Sequence, residues 1–409
     1  MFLKKIALSL ASVLALTANA HAHDFIDTAG FPGWFNEAMQ REGSLNERSE
    51  LSLPELSVNS EVLGTLALAD TSTGTWYYTI DIGSDVPMEC WVFTEYDGTA
   101  NSMHGISQMG LESAETLNEK ALSGQFNFAL DVGVVGTTAY AAYDTLYHLG
   151  EGDQKVAGLM KAMAAETNDS LQVCLHNELG YRETFKQAFV AFIQAFENAK
   201  PTNAFYQTAY AWRINGIPVG FSRESYAKDE DGDVVIESSL SMLVPVDANS
   251  VARTDSFSNS WSMPDGALIN GQQYTIENGV MASTYRIDYK DEKWEVAGKI
   301  QNKDIAATLE YNQWLQSEYG NYLSIESLRN SDETSDTFFM WSPDADPTSA
   351  LEVSLEQTES NDTFQLNMSL FTFLFEIDAN NAPISGTIDY GVMKMTLDQM
   401  VSTGTPKLP

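Results

Sequence analysis

The sequence predicts an α+β protein in which mainly antiparallel β-sheets, as meanders and hairpins, pack on a few helices, chiefly residues 182–200. Three observations lead there. Strand-length runs recur along the chain with tight-turn residues between them. One stretch alone carries a strong helical period. Its 409 residues, 44% of them hydrophobic, are enough for a sizeable core and exclude a disordered chain.

The helical stretch lies within LQVCLHNELGYRETFKQAFVAFIQAFENAK, residues 171–200. Phe185, Phe189, Phe192 and Phe196 recur at spacings of four, three and four, so their rings share one face. Lys186, Gln187, Gln194 and Glu197 fall on the other face. Pro201 stops the helix, because a proline pushes the residue before it out of helical angles. Such a stripe needs a broad apolar surface to cover it.

At the start, Lys4 and Lys5 precede an apolar run over 6–16 and the small-residue triplets 18–20 and 20–22. This reads as a secretory signal peptide over 1–22, cleaved after Ala22 or Ala20, and not as an anchor: the run is short for a bilayer and no cysteine follows the triplet. The expected location is periplasmic or extracellular, without membrane insertion. With 57 acidic residues against 22 basic ones and a net charge of −35, the chain repels phosphate backbones and anionic headgroups. Nucleic-acid partners are therefore excluded, and a monomer is expected.

Cys90 and Cys174 each sit in a strand-like run, and in an oxidising compartment such a pair predicts a disulfide. Neither opens a helix or belongs to a Cys-x-x-Cys pair, the settings that make a thiol reactive.

In chain order, 23–60 is polar and broken and reads as a loosely structured lead-in with one short helix. The body divides into 61–200 and 201–409, as two domains or one continuous fold. Strands are expected at 62–68, 75–82, 88–96 and 125–132; 139–149 is undecided between helix and strand, and 155–165 reads as helix. Beyond Pro201, strands at 205–214, 218–228 and 234–244 form a meander across Asn215-Gly216 and the acidic turn 229–233. Residues 247–266 read as a long polar loop, 280–289 and 294–300 as a hairpin, 312–329 as partly helical and 330–337 as a linker. Strands follow at 351–356, 364–377 and 385–395.

The run 364–377 stands apart because its second half is apolar on both faces, as in a strand that is covered twice. Met368, Leu370, Phe371 and Phe373 in this run, with Phe189 and Phe192 of the helix, form the candidate apolar ligand or packing surface.

The motifs of catalysis are weak or missing. Gly105-Ile106-Ser107-Gln108-Met109-Gly110, beside His104, has its second glycine one place too far for a nucleophile elbow. His176-Asn177-Glu178 lacks a zinc helix's second histidine. Asp229, Asp231 and Asp233 have alternate-carboxylate spacing, but Val234 stands where a calcium loop needs glycine. There is no phosphate-cradling glycine loop. No cofactor and no metal are expected. The reading is a non-enzymatic exported binding or carrier protein for an apolar or amphipathic ligand, or for a protein partner. The alternatives are a secreted hydrolase whose acidic residues form no spaced motif and an envelope structural or interaction protein.

Overall fold

The computed structural model describes residues 25–409 except 27, 97, 99–101, 168–169, 198, 200–201, 248–249, 312, 369–370 and 390–392. The leader reading and Leu370 lie outside the described residues. The described chain forms two compact units, one of residues from 25 to 202 together with 250–251, the other of 203–247 and 252–409.

In the N-terminal unit, β3 (Thr65–Ser72), β4 (Thr75–Asp81) and β5 (Met88–Phe93) form one meander, and β6 (Leu122–Val135), β7 (Thr138–Leu149), β8 (Val156–Thr167) and β9 (Ser170–His176) form another. They join into one antiparallel sheet of order β3-β4-β5-β9-β8-β7-β6. The joint is the β5–β9 pair, where Cys90 stands opposite Cys174 and the two are disulfide-bonded.

Helix α3 (Arg182–Gln194) covers one face of this sheet, with Phe185, Phe189, Phe192 and Ile193 buried. They share a core with Tyr78, Cys90, Met163 and Cys174. The helix ends before the expected residue 200. Beyond it the backbone tightens into i→i−3 bonds from Ala195, Phe196, Glu197 and Ala199, which still deliver Phe196 into the core. At its start Gly180 has φ +83°, and a Cβ there would lie 2.3 Å from the Ala38 carbonyl oxygen, so only glycine fits. The Glu42 carboxylate caps the first turn by accepting from the Thr184 N–H at 2.9 Å.

Helix α2 (Met103–Asn118) lies against β7, β8 and β9, and a Cβ on its Gly110 would strike Met160. Met160 and Met163 belong to opposite faces of β8, so the middle of the sheet is covered twice and all of β9 is buried. This explains why 155–165, read as a helix, is a strand. A segment buried on both faces shows no alternation, and its alanine, leucine and methionine content favours helix until packing overrides propensity. Residues 103–118 are a helix where none was expected. The lead-in is more ordered than its polar sequence implies. It holds α1 (Gly33–Ala38) and the hairpin of β1 (Arg48–Leu53) and β2 (Val58–Leu63), whose Leu51, Leu53, Val58 and Val62 enter the same core as the phenylalanines.

The C-terminal unit is one antiparallel sheet of fourteen strands. A first meander runs through β10 (Ala204–Ile214), β11 (Ile217–Lys228), β12 (Val234–Asp247), β13 (Ser250–Ser262), β14 (Leu268–Glu277), β15 (Val280–Lys290), β16 (Lys293–Ile300) and β17 (Lys303–Thr308). A second holds β18 (Ser335–Trp341), β19 (Ala350–Gln357), β20 (Thr363–Met368), β21 (Phe371–Ile377), β22 (Pro383–Asp389) and β23 (Lys394–Gly404), joined to the first by the β10–β23 pair. The sheet rolls up. Trp294 and Val296 of β16 pack with Phe339 and Trp341 of β18, at the far edge of the strand order.

Helix α4 (Glu318–Arg329) lies inside this curve. Tyr319 and Tyr322 meet Tyr206 and Tyr226 of β10 and β11, while Ile325 and Leu328 meet Val353, Phe364 and Phe375 of the second meander.

Two readings change here. Residues 250–262, expected as loop, form β13; its buried positions include Arg253 and Asp255, an ion pair at 3.7 Å, so polarity hid the strand. Residues 364–377 are two strands, β20 and β21, paired Thr363 to Glu376 through Met368 to Phe371. The run is therefore two paired strands and not one strand covered twice; within β21 Leu374 is 43% exposed while Phe375 is buried.

Candidate functional site

A cavity of about 180 Å³ lies within the C-terminal unit, between α4 and the concave face of the sheet. One wall is a cross-strand row. Leu355 of β19 is paired with Leu366 of β20, which is paired with Phe373 of β21. The neighbouring Phe375 stacks on Phe373 at 5.1 Å between ring centroids. Room for the Phe373 ring comes from β22, where a Cβ on Gly386 would lie 2.3 Å from it.

The other wall is polar. On α4, Glu318, Asn321, Tyr322 and Ile325 all line the cavity, at the i, i+3, i+4, i+7 spacing of one helix face. The N-cap is Ser317, whose hydroxyl accepts from the Gly320 N–H at 3.1 Å, and Glu318 follows in the first turn where the helix dipole favours a carboxylate. Across from it, β10 and β11 present Tyr206, Tyr226 and Glu224; Tyr206 and Tyr226 are direct strand partners with rings 5.3 Å apart.

Burial sets the electrostatics. Loss of water, and then the neighbouring Glu318 carboxylate, push the Glu224 carboxyl up to about 7, against a smaller lowering by its hydrogen bond with Tyr226. Glu224 keeps partial surface exposure because its side chain borders the cavity. The Tyr226 and Tyr206 hydroxyls are held above the ordinary phenol range, first by burial. Glu318 accepts from the Ser260 hydroxyl at 3.0 Å. The Tyr206 hydroxyl is fully buried, with Thr208 and Tyr210 as its polar neighbours. Chemically, the cavity offers an apolar wall facing two carboxyl groups and three phenols.

Of the sequence-predicted surface, Phe373 lines this cavity, and Met368 packs against the cluster that also holds Phe375. Phe371 is half-buried on β21. Phe189 and Phe192 lie in the N-terminal core, each 0% exposed. Glu224, Glu318, Tyr206, Tyr226 and Tyr322 were missed. The helix-face spacing in 318–325 was the available signal, but its mixture of acid, amide, phenol and aliphatic side chains does not register as an apolar stripe.

A second group of buried polar side chains sits in the N-terminal unit. Lys161, 1% exposed, donates to the Glu178 carbonyl, and burial brings its ammonium down to about 7. Beside it Arg182 pairs with Asp144 at 2.5 Å. The His176 Nε2 lies 3.1 Å from the Ser84 hydroxyl and 3.1 Å from the Val86 carbonyl oxygen. Burial lowers His176 to about 3, and its Nδ1 has no partner, so no carboxylate orients this ring for proton transfer. Ser107 lies inside α2 with its hydroxyl buried, which removes the nucleophile-elbow reading. Among the described residues no three His, Cys, Asp or Glu side chains are grouped to hold a metal, and no helix is long and apolar enough to cross a membrane.

No protein-family model matches the chain, and no curated protein matches it. Among solved structures it is similar to a beta-barrel-like protein of a domain of unknown function from Brucella abortus. The two are 10% identical over 49% of this chain and 97% of that one, with a TM-score of 0.39. A protein of another family of unknown function, from Pseudomonas aeruginosa, is 11% identical over 43% and 88%, with a TM-score of 0.20. Both scores lie below the level at which two chains share a fold.

Proposed function

We propose that this chain is an exported binding or carrier protein whose C-terminal unit takes a small amphipathic ligand into the cavity under α4. The observation that carries the reading is the opposition of the Leu355–Leu366–Phe373 row to the polar wall of Glu224, Glu318 and Tyr206. A concave apolar site with a few convergent polar groups is the usual form of a small-molecule pocket. Export is supported by the basic, apolar and small-residue order of the leader, and by the Cys90–Cys174 bond, which persists in oxidising compartments.

The size fits a ligand of one ring and a short arm, since a cavity of about 150 Å³ holds benzene. The test is calorimetric titration of the mature chain with 2-phenylethanol, in the wild type and in Leu366→Trp, which fills the cavity. Binding by the wild type that is lost in the variant is the expected result; binding that survives the cavity-filling tryptophan removes the reading.

A second reading, a secreted hydrolase, draws on Glu224 and Glu318, because a carboxyl held up beside another carboxyl is the arrangement of a general acid and its partner. Hydrolysis of aryl glycosides abolished by both Glu224→Gln and Glu318→Gln would favour it over the carrier.

A further inference from the structure

Resting on the carrier reading, we propose that the ligand is an organic ammonium ion, its charged end between Glu224 and Glu318 and its apolar arm against Phe373 and Leu366. Among the described residues two carboxyl side chains line the cavity, and no Lys, Arg or His side chain does. Their protein partners there are neutral: Ser260 for Glu318 and Tyr226 for Glu224. Carboxylates removed from water without a countercharge are costly, and a bound cation relieves that cost.

The walls select the same class independently. Rings from Tyr206, Tyr226, Tyr322, Phe373 and Phe375 surround the space, and aromatic faces attract ammonium groups, most strongly where water is excluded. A carboxylate-headed amphiphile meets two like charges, so fatty acids are excluded as occupants. The net charge of −35 draws cations toward the molecule as a whole.

The experiment compares 2-phenylethylammonium, 2-phenylethanol and 3-phenylpropionate by calorimetry on the mature chain at pH 8. The ammonium is expected to bind about tenfold tighter than the alcohol, and the carboxylate more weakly than either. In the Glu224→Gln, Glu318→Gln double variant the two preferences collapse, and a cooperative urea transition of that variant shows that the fold survives. Alcohol binding as tight as the ammonium, or a preference that survives in the double variant, overturns the inference while leaving the carrier reading intact. No binding by any of the three overturns both.

Discussion

Cys90 and Cys174 stand directly opposite each other on β5 and β9, their Cα atoms 4.1 Å apart and their sulfurs bonded. The bridge sits where the sheet of the N-terminal unit leaves sequence order, 84 residues apart along the chain. Every other strand pair in that sheet joins consecutive strands. A loop of that length costs the reduced chain roughly 4.5 kcal/mol in closure entropy, an upper figure. Titration of denatured, unreduced protein is expected to find no free thiol. Reduction should lower the stability of this unit by about 2 to 5 kcal/mol, read as a lower denaturant midpoint.

The phenylalanine stripe gives the second prediction. The Phe189 ring meets Tyr140 edge-on at 5.9 Å and Phe192 meets Tyr78 at 6.2 Å, both within the core. Phe189→Ala or Phe192→Ala is expected to cost about 3 to 5 kcal/mol. Gln194, exposed on the opposite face, should tolerate alanine within about half a kcal/mol. Lys186 is not equivalent to it, because its ammonium pairs with Asp131 at 3.0 Å, and Lys186→Ala should cost up to about 1 kcal/mol. Equal midpoints for all four variants would mean the stripe is not core.

These contrasts mark what the sequence made legible. The stripe in 185–196, the Asn215-Gly216 turn and the cysteine strands were readable because each rests on spacing or turn chemistry within a few residues. The strand nature of 156–167 was not, since burial on both faces erases the period that distinguishes strand from helix. The polar β13 was invisible for the opposite reason: it buries Arg253 and Asp255 as a pair. The cavity is less readable still. Its lining comes from β10, β11, α4 and β19 to β22, and only long-range pairing brings Glu224 and Glu318 to one space.

Gly386 offers a test of the cavity wall. A methyl group at this position would overlap the Phe373 ring, which must then leave the strand surface. Gly386→Ala is expected to destabilise by about 1 to 3 kcal/mol, as overpacking does. It should also weaken 2-phenylethanol binding. Unchanged stability and binding would mean that the ring yields freely and the wall is soft.

The acidic hairpin tip is predicted to be structural. Asp229 Oδ1 accepts from the Asp231 N–H at 3.0 Å and the Asp233 N–H at 2.9 Å, so this carboxylate already serves the turn. Calcium should not raise the melting temperature. Asp229→Ala should cost about 1 kcal/mol through the two lost hydrogen bonds. A calcium-dependent rise that disappears in Asp231→Ala would reverse the assignment.

The last prediction concerns pH and Glu224. Its carboxyl is raised from 4.5 to about 7 by burial first and by Glu318 second, with Tyr226 of its own strand and Tyr206 and Tyr210 of β10 as its other neighbours. Between those values the folded chain holds a proton that the unfolded chain has released. Stability from this group is therefore complete below 4.5, falls as the pH rises and is lost once the folded carboxyl ionises at about 7. Glutamine is isosteric with the protonated acid and cannot ionise. Glu224→Gln should therefore match the wild type near pH 4.5 and exceed it by a margin that grows to pH 7 and then stays level. His176 in the other unit, lowered to about 3, acts in the opposite sense, with stability present above 6.5 and lost as the pH falls through about 3. It is common to wild type and variant, so it cancels in their difference. Urea midpoints of both proteins at pH 4.5, 6 and 8 measure that difference directly. A margin independent of pH would mean that Glu224 titrates normally and that the cavity is open to water.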